Sequence, residues 1–247
     1  MQVLGVDVGG SGIKGALVDI DSGELVTDRY RLSTPQPASP KAVVKTIKKV
    51  AKRFECNGPV GVGFPAVVLD GTVESAANVD DGWIGFPGQQ AIADALGCPV
   101  KLLNDADAAG YAEMRFGAGR GRRGLIMILT LGTGIGSALF IGGRLVPNCE
   151  LGHLYLPGHK LDAEEYASDR IRSDDDLGWK TWASRLDEYL HHLEGLFSPN
   201  LFILGGGVSK KHKKFIPRLT LRTEVVPALL RNEAGIVGAA MAAVADD

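Results

Sequence analysis

The chain has 247 residues, 27 basic against 29 acidic side chains, a formal net charge of −2 and 45% apolar residues. That length can bury two cores of ordinary size, and the near-neutral balance excludes wholesale binding to nucleic acid or to an anionic membrane surface. Cys56, Cys98 and Cys149 lie far apart and lack CxxC spacing, so they give no sign of a disulfide framework or a zinc knuckle and read as reduced, buried small hydrophobes. The start carries no basic and then apolar leader, and no apolar run approaches the ~20 residues of a membrane span. A cytoplasmic protein is the expectation.

The first predicted elements lie in residues 3–17, where Val3-Leu-Gly-Val-Asp7-Val-Gly9-Gly10-Ser11-Gly12-Ile-Lys14-Gly-Ala-Leu17 reads as strand, glycine turn and strand. The turn is not a Walker A loop, because no Gly-Lys-Ser/Thr opens a helix after it. It is not a dinucleotide fingerprint either, because Ile13–Ile20 alternates like a strand. After Pro35 and Pro37, Ser39-Pro40 starts a helix with Val43, Val44, Ile47, Val50, Ala51 and Phe54 on one face. A short buried strand over Pro59–Pro65, a helix near Gln89–Leu96 and a strand over Val100–Leu103 follow, the last delivering Asn104-Asp105-Ala-Asp107 at its end.

The opening pattern then recurs. Ile126-Met-Ile-Leu-Thr130-Leu-Gly132-Thr133-Gly134-Ile-Gly-Ser-Ala-Leu139 repeats the first meander with one residue fewer in the turn, and each copy runs on to a glycine turn and Leu-Val. Two related lobes are expected, with their glycine loops facing each other across a cleft suited to a phosphate chain. Glycine lets backbone N–H groups approach an anion without a Cβ in the way. A single copy could be an ordinary hairpin. Duplication with Asp7, Lys14 and Thr130 at the turns favours an anion site. A helical region over Ala163–Leu196, a buried strand over Asn200–Leu204 ending at Gly205-Gly206-Gly207, and a closing helix over Ala234–Ala245 complete the pattern.

Three groups could carry chemistry. Asp105 at a strand-to-helix junction can accept a proton from a substrate hydroxyl, although Asn104 or Asp105 could equally cap the helix. Glu150 and His153, spaced three apart after the second meander, can grip adjacent hydroxyls of a sugar, with Glu164 as a third contact; each could also be a plain surface or structural residue. From Ser209 to Thr223 the chain carries Lys210, Lys211, Lys213, Lys214, Arg218 and Arg222 with no acidic residue, either a solvated turn or a landing site for a polyanion.

Asp7-x-Gly-Gly-x-x-Ile-Lys14, Leu103-Asn-Asp105-Ala-Asp-Ala, Leu131-Gly-Thr-Gly-Ile-Gly136, Glu150-Leu-Gly-His153, Glu164-x-x-x-Ser168 and Leu204-Gly-Gly-Gly-Val-Ser209 resemble the ROK family of sugar kinases in order and spacing. Within it, Ala76-Ala-Asn78-Val-Asp and Ala112-Glu-Met-Arg-Phe-Gly-Ala-Gly119 are similar to the branch that uses polyphosphate on glucose. The resemblance implies an α/β, duplicated actin-like (ribonuclease-H-like) fold. Its lobes would be a small N-terminal one over 1–103, completed by a C-terminal helix over 232–247, and a large one over 104–231.

It further implies transfer from polyphosphate or ATP to the 6-hydroxyl of glucose, with mannose as a further acceptor, Mg²⁺ at the donor and a homodimer as one assembly. Asp105 would be the catalytic base. Asn78, Asn104, Asp105, Glu150, His153 and Glu164 would bind the sugar. Asp7, Gly9, Gly10, Ser11, Lys14, Thr130, Gly132, Thr133 and Gly134 would hold phosphates, with Gly205, Gly206, Gly207, Lys210 and Lys211 at the far end of the donor site. The family's zinc-binding cysteine cluster has no counterpart in Leu156–Asp162, so no structural zinc is expected, and neither is the DNA-binding helix-turn-helix of some relatives. A strictly ATP-dependent kinase and a catalytically silent sugar sensor are the alternatives.

Overall fold

The computed structural model describes residues 1–54, 58–77 and 79–245. β1 (Gln2–Val8) and β2 (Ile13–Asp19) form the first hairpin, with Asp7 opposite Lys14 and Val8 opposite Ile13. Val3, Leu4, Val6 and Val8 are all buried, as expected of a strand covered on both faces. β3 (Glu24–Leu25) and β4 (Tyr30–Leu32) both pair with β2. α1 (Pro40–Lys52) begins on a proline whose missing N–H is no loss in a first turn, and it buries Val43, Ile47 and Val50 at helical spacing.

β5 (Val60–Phe64), buried along its length, is followed by a small hairpin of β6 (Val68–Leu69) and β7 (Thr72–Val73). α2 (Gly88–Leu96) stops on left-handed Gly97, and β8 (Val100–Asn104) runs straight into α3 (Asp105–Phe116). The strand order is β3-β2-β1-β5-β8, with β1, β5 and β8 parallel.

The second half repeats this topology. β9 (Leu125–Leu131), β10 (Ile135–Ile141) and β11 (Arg144–Val146) form an antiparallel meander. The predicted helical region is divided into α4 (Ala163–Ala167), α5 (Asp169–Asp174) and α6 (Trp179–Phe197). Ser168 caps α5 by accepting from the Ile171 N–H, and Asp176 takes a left-handed φ of 50° before α6 starts. β12 (Leu201–Gly205) and β13 (Glu224–Pro227) give the order β11-β10-β9-β12-β13, with β9, β12 and β13 parallel. Two sheets of the same order and the same strand directions make this the duplicated, actin-like α/β fold.

The chain divides into two compact units, Met1–Ala112 with Glu233–Asp247, and Glu113–Asn232. The first is built on a core of Leu4, Val6, Ile47, Val62, Phe64 and Trp83; α7 (Ala234–Ala242) packs on β1 and β5. The core of the second holds Leu129, Leu131, Trp182, Leu186, Tyr189 and Phe215. Cys98 and Cys149 are half-buried rather than fully buried, and each packs against the core of its own unit; Cys56 lies outside the described residues. Among the described residues no helix is long and apolar enough to cross a membrane.

Candidate active site

In the first unit the loop between β1 and β2 closes on itself through two hydrogen bonds, Gly9 N–H to the Gly12 carbonyl at 3.0 Å and Gly12 N–H to the Gly9 carbonyl at 3.3 Å. Buried Thr34 donates its hydroxyl to the Gly9 carbonyl and fixes the loop from behind. Among the described residues the N–H groups of Gly10 and Ser11 reach no protein acceptor, and both residues are exposed, which leaves adjacent amide donors available to an anion. Beside them Lys14 Nζ donates to Asp7 Oδ2 at 3.2 Å. The cation at the loop is therefore held in place by its own strand partner.

Asp105 is the first residue of α3, half-buried at the C-terminal end of β8, the edge where parallel sheets expose their chemistry. Neighbouring Asn104 does the capping: its Oδ1 accepts from the Ala106 and Asp107 N–H groups at 2.8 and 3.1 Å, and its Nδ2 donates to the Ala66 carbonyl at 3.2 Å. With Asn104 filling that role, the Asp105 carboxylate is not needed for it.

In the second unit the shorter loop is closed by Gly132 N–H to the Gly134 carbonyl at 3.0 Å, and among the described residues the N–H groups of Thr133 and Gly134 reach no protein acceptor. Thr130 occupies the register position that Asp7 holds in the first sheet, with Gly136 and Gly205 opposite it on either side. Glu164 on α4 accepts from the Ile135 N–H through Oε2 at 2.8 Å, and a Cβ on Gly134 would occupy the space of that carboxylate. Glycine is required there for the acid to reach the loop at all.

Glu150 and His153 lie next to Glu164 electrostatically. Ser137 donates its hydroxyl to the Cys149 carbonyl and accepts from the Leu151 N–H at 3.0 Å, which pins the chain on both sides of Glu150 to β10. Burial raises the Glu150 carboxyl above the usual carboxylate range, and Glu164 adds to the effect against His153. His153 Nδ1 lies 3.0 Å from Asp162 Oδ2, and this contact lifts its pKa above that of an ordinary imidazole. With the proton held on Nδ1 by Asp162, Nε2 of the neutral ring is an acceptor for a hydroxyl. Asp162 also accepts from the Glu165 N–H at 2.8 Å as the cap of α4, so one carboxylate orients both His153 and the helix carrying Glu164.

Asp162 was not among the predicted site residues, although its place as an N-cap three residues before Glu165 was legible as a helix start. β12 ends at Gly205, Gly206 and Gly207 follow it, and Ser209 turns back to donate to the Gly206 carbonyl at 2.8 Å. The basic run continues as a 3-10 helix over Gly207–Lys214, with Lys210, Lys211, Lys213 and Lys214 exposed. Trp179 gathers part of this charge: Arg172, Lys211 and Lys214 approach its ring to 4.5, 5.9 and 5.4 Å from the centroid. Asn78 lies outside the described residues. Among the described residues no three His, Cys, Asp or Glu side chains converge as a metal cage.

Comparison with known proteins adds identity to this geometry. The ROK family model matches residues 3–169. A polyphosphate glucokinase from Mycobacterium tuberculosis is 52% identical over 244 residues, spanning 98% of this chain and 91% of that protein. The solved structure of an inorganic polyphosphate/ATP-glucomannokinase from Arthrobacter sp. strain KM is 49% identical, superposes with a TM-score of 0.92 and is covered over 97% of both chains. A ROK family glucokinase from Streptomyces griseus, solved with glucose and AMPPNP, is 28% identical with a TM-score of 0.81, covering 98% of this chain and 99% of that one. The chain belongs to the ROK family.

Proposed function

We propose that this protein is a polyphosphate/ATP-dependent glucokinase in which Asp105 is the general base. It transfers the terminal phosphoryl group of polyphosphate or ATP to glucose, in line with the polyphosphate glucokinase and glucomannokinase relatives. The observation that carries the site assignment lies within the second unit. There Glu164 joins a glycine loop with outward amides to the hydroxyl-binding group of Glu150 and His153. A plain hairpin has no use for that junction, whereas a kinase must hold a phosphate chain beside a sugar.

Glu150, His153, Glu164 and Asn78 bind the sugar, and Asn104 belongs with them chiefly by holding the end of β8 rigid. Asp105 takes the 6-hydroxyl proton as the hydroxyl oxygen forms its bond to phosphorus, and the bond from phosphorus to the leaving oxygen breaks with its electrons staying on the departing chain. The amides of Gly10, Ser11, Thr133 and Gly134, with Gly9, Gly132, Lys14 and Thr130, hold the donor's phosphates. Gly205, Gly206, Gly207, Lys210 and Lys211 hold the chain further out.

A divalent metal accompanies the donor, and we assign Mg²⁺, which would offset charge on the phosphate oxygens. The residues suit it, since Mg²⁺ takes one or two carboxylates plus phosphate oxygens, and Asp7 and Asp105 are oxygen donors at the same edge of the first sheet. The proposal includes mannose as a second acceptor, supported by the glucomannokinase relative, and a homodimer. Three widely spaced cysteines without a disulfide framework in their spacing suit a reducing compartment, and we place the protein in the cytoplasm.

Asp105→Asn tests the base. It should keep the thermal midpoint and lower kcat by about 10²–10⁴-fold, because an amide cannot take the proton. A variant turning over at the wild-type rate would overturn the assignment.

A further inference from the structure

Each glycine loop carries an arginine that neither the motifs nor the activity assigns. In the first sheet Lys14 lies between Asp7 and Arg31 in register, and it is neutralised by Asp7 at 3.2 Å. Arg31 instead reaches along the loop. Its Nη2 donates to the Ser11 carbonyl at 2.7 Å and to Ser11 Oγ at 3.5 Å, and among the described residues no carboxylate pairs with it. A Cβ on Gly12 would strike the guanidinium, so the glycine makes room for it.

In the second unit Arg170 treats the other loop alike, its backbone N–H donating to the Gly132 carbonyl and its Nε to the Thr133 carbonyl, both at 3.0 Å. Its nearest carboxylate is exposed Asp174 at 4.0 Å, too loose and too solvated to consume the charge. The two arginines come from different elements, β4 and the start of α5, so a packing need imposed by the repeat does not account for both.

A guanidinium has more N–H donors than these carbonyls use, and its planar fork matches a phosphate. Here each one is fixed against amides that have no protein acceptor. We propose that Arg31 and Arg170 contact the phosphates of the phosphoryl donor, one for each loop. The proposal rests on the phosphoryl-transfer reading above, and the competing role is a brace for the loop backbone.

Glutamine variants separate the two, because Arg→Gln keeps neutral N–H donors for the carbonyl and removes the charge, whereas Arg→Lys keeps the charge. With full-length protein, Arg31→Gln and Arg170→Gln should each raise KM for both ATP and polyphosphate by about tenfold to a hundredfold, with KM for glucose unchanged. The Lys variants should recover part of the loss. Gly12→Ala, which displaces the Arg31 side chain without altering its charge, should raise donor KM in the same pattern. Wild-type donor KM in the Gln variants, or loss in Ala variants that Gln fully restores, would leave only the brace and overturn the proposal. If the wild type transfers nothing to glucose, the phosphoryl-transfer reading fails instead. Calorimetric titration with tripolyphosphate then decides the arginines directly, with equal affinity in wild type and Gln variants overturning their role.

Discussion

Glu150 and His153 are both shifted upward, for different reasons and with opposite consequences. Burial raises Glu150, so it takes up its proton at a higher pH than an exposed glutamate. An ionised acceptor for sugar hydroxyls is then lost early as pH falls, and glucose affinity should begin to drop above the ordinary glutamate value of about 4.3. The hydrogen bond to Asp162 raises His153, so the stability that this contact contributes is full below the unfolded imidazole value of about 6.5 and fades as pH rises through the folded value.

Glu150→Gln should cost about 1–3 kcal/mol of glucose binding and flatten its acid limb, with donor affinity unchanged. Calorimetry with glucose and donor taken separately across the pH range checks this, and equal loss of both would point to misfolding. Spacing offered Glu150 and His153 as a pair able to grip adjacent hydroxyls, beside a plain surface or structural reading, and the resemblance to the ROK sugar kinases pointed to the pair. The same spacing could not reveal Asp162 as the partner of His153, since that contact depends on how the chain folds back between them. Nor could it show that Asn104 caps α3, which required the hydrogen bonds themselves.

At the scale of elements, the repeated hairpins were legible because alternating apolar residues around a short glycine turn have few other solutions. Glu113 shows where such reading stops. It is an ionisable side chain in α3, yet it is 1% exposed and accepts from the N–H groups of Ala118, Leu229 and Leu230 at 2.9, 3.2 and 2.7 Å. Two of those partners are more than 100 residues away in sequence, so no local pattern marks them. The carboxylate ties the end of α3 to the segment leading out of β13. Glu113→Ala should destabilise the protein by about 1–3 kcal/mol, because it leaves partly buried N–H groups without their acceptor. Denaturant unfolding should show a lower midpoint, and an unchanged midpoint would mean that water replaces the carboxylate at no cost.

For the whole molecule, a formal charge of −2 conceals a local excess. Lys210, Lys211, Lys213 and Lys214 stand exposed directly after the Gly205–Gly207 turn, and Lys211 and Lys214 are drawn toward Trp179. A short donor needs only the glycine loops, whereas a long polyanion that runs on meets the lysines and releases counterions from them. The central claim, a glucokinase that accepts polyphosphate as well as ATP, is tested most directly by glucose 6-phosphate formation from each donor across a salt series. Wild type should be measured beside the variant with Ala at all four lysines. Wild type should use both donors. In the variant, KM for long polyphosphate should rise far more than KM for ATP, with a salt slope shallower by about 3 log units per decade. No glucose 6-phosphate from polyphosphate, or an equal response of the two donors, would contradict the claim.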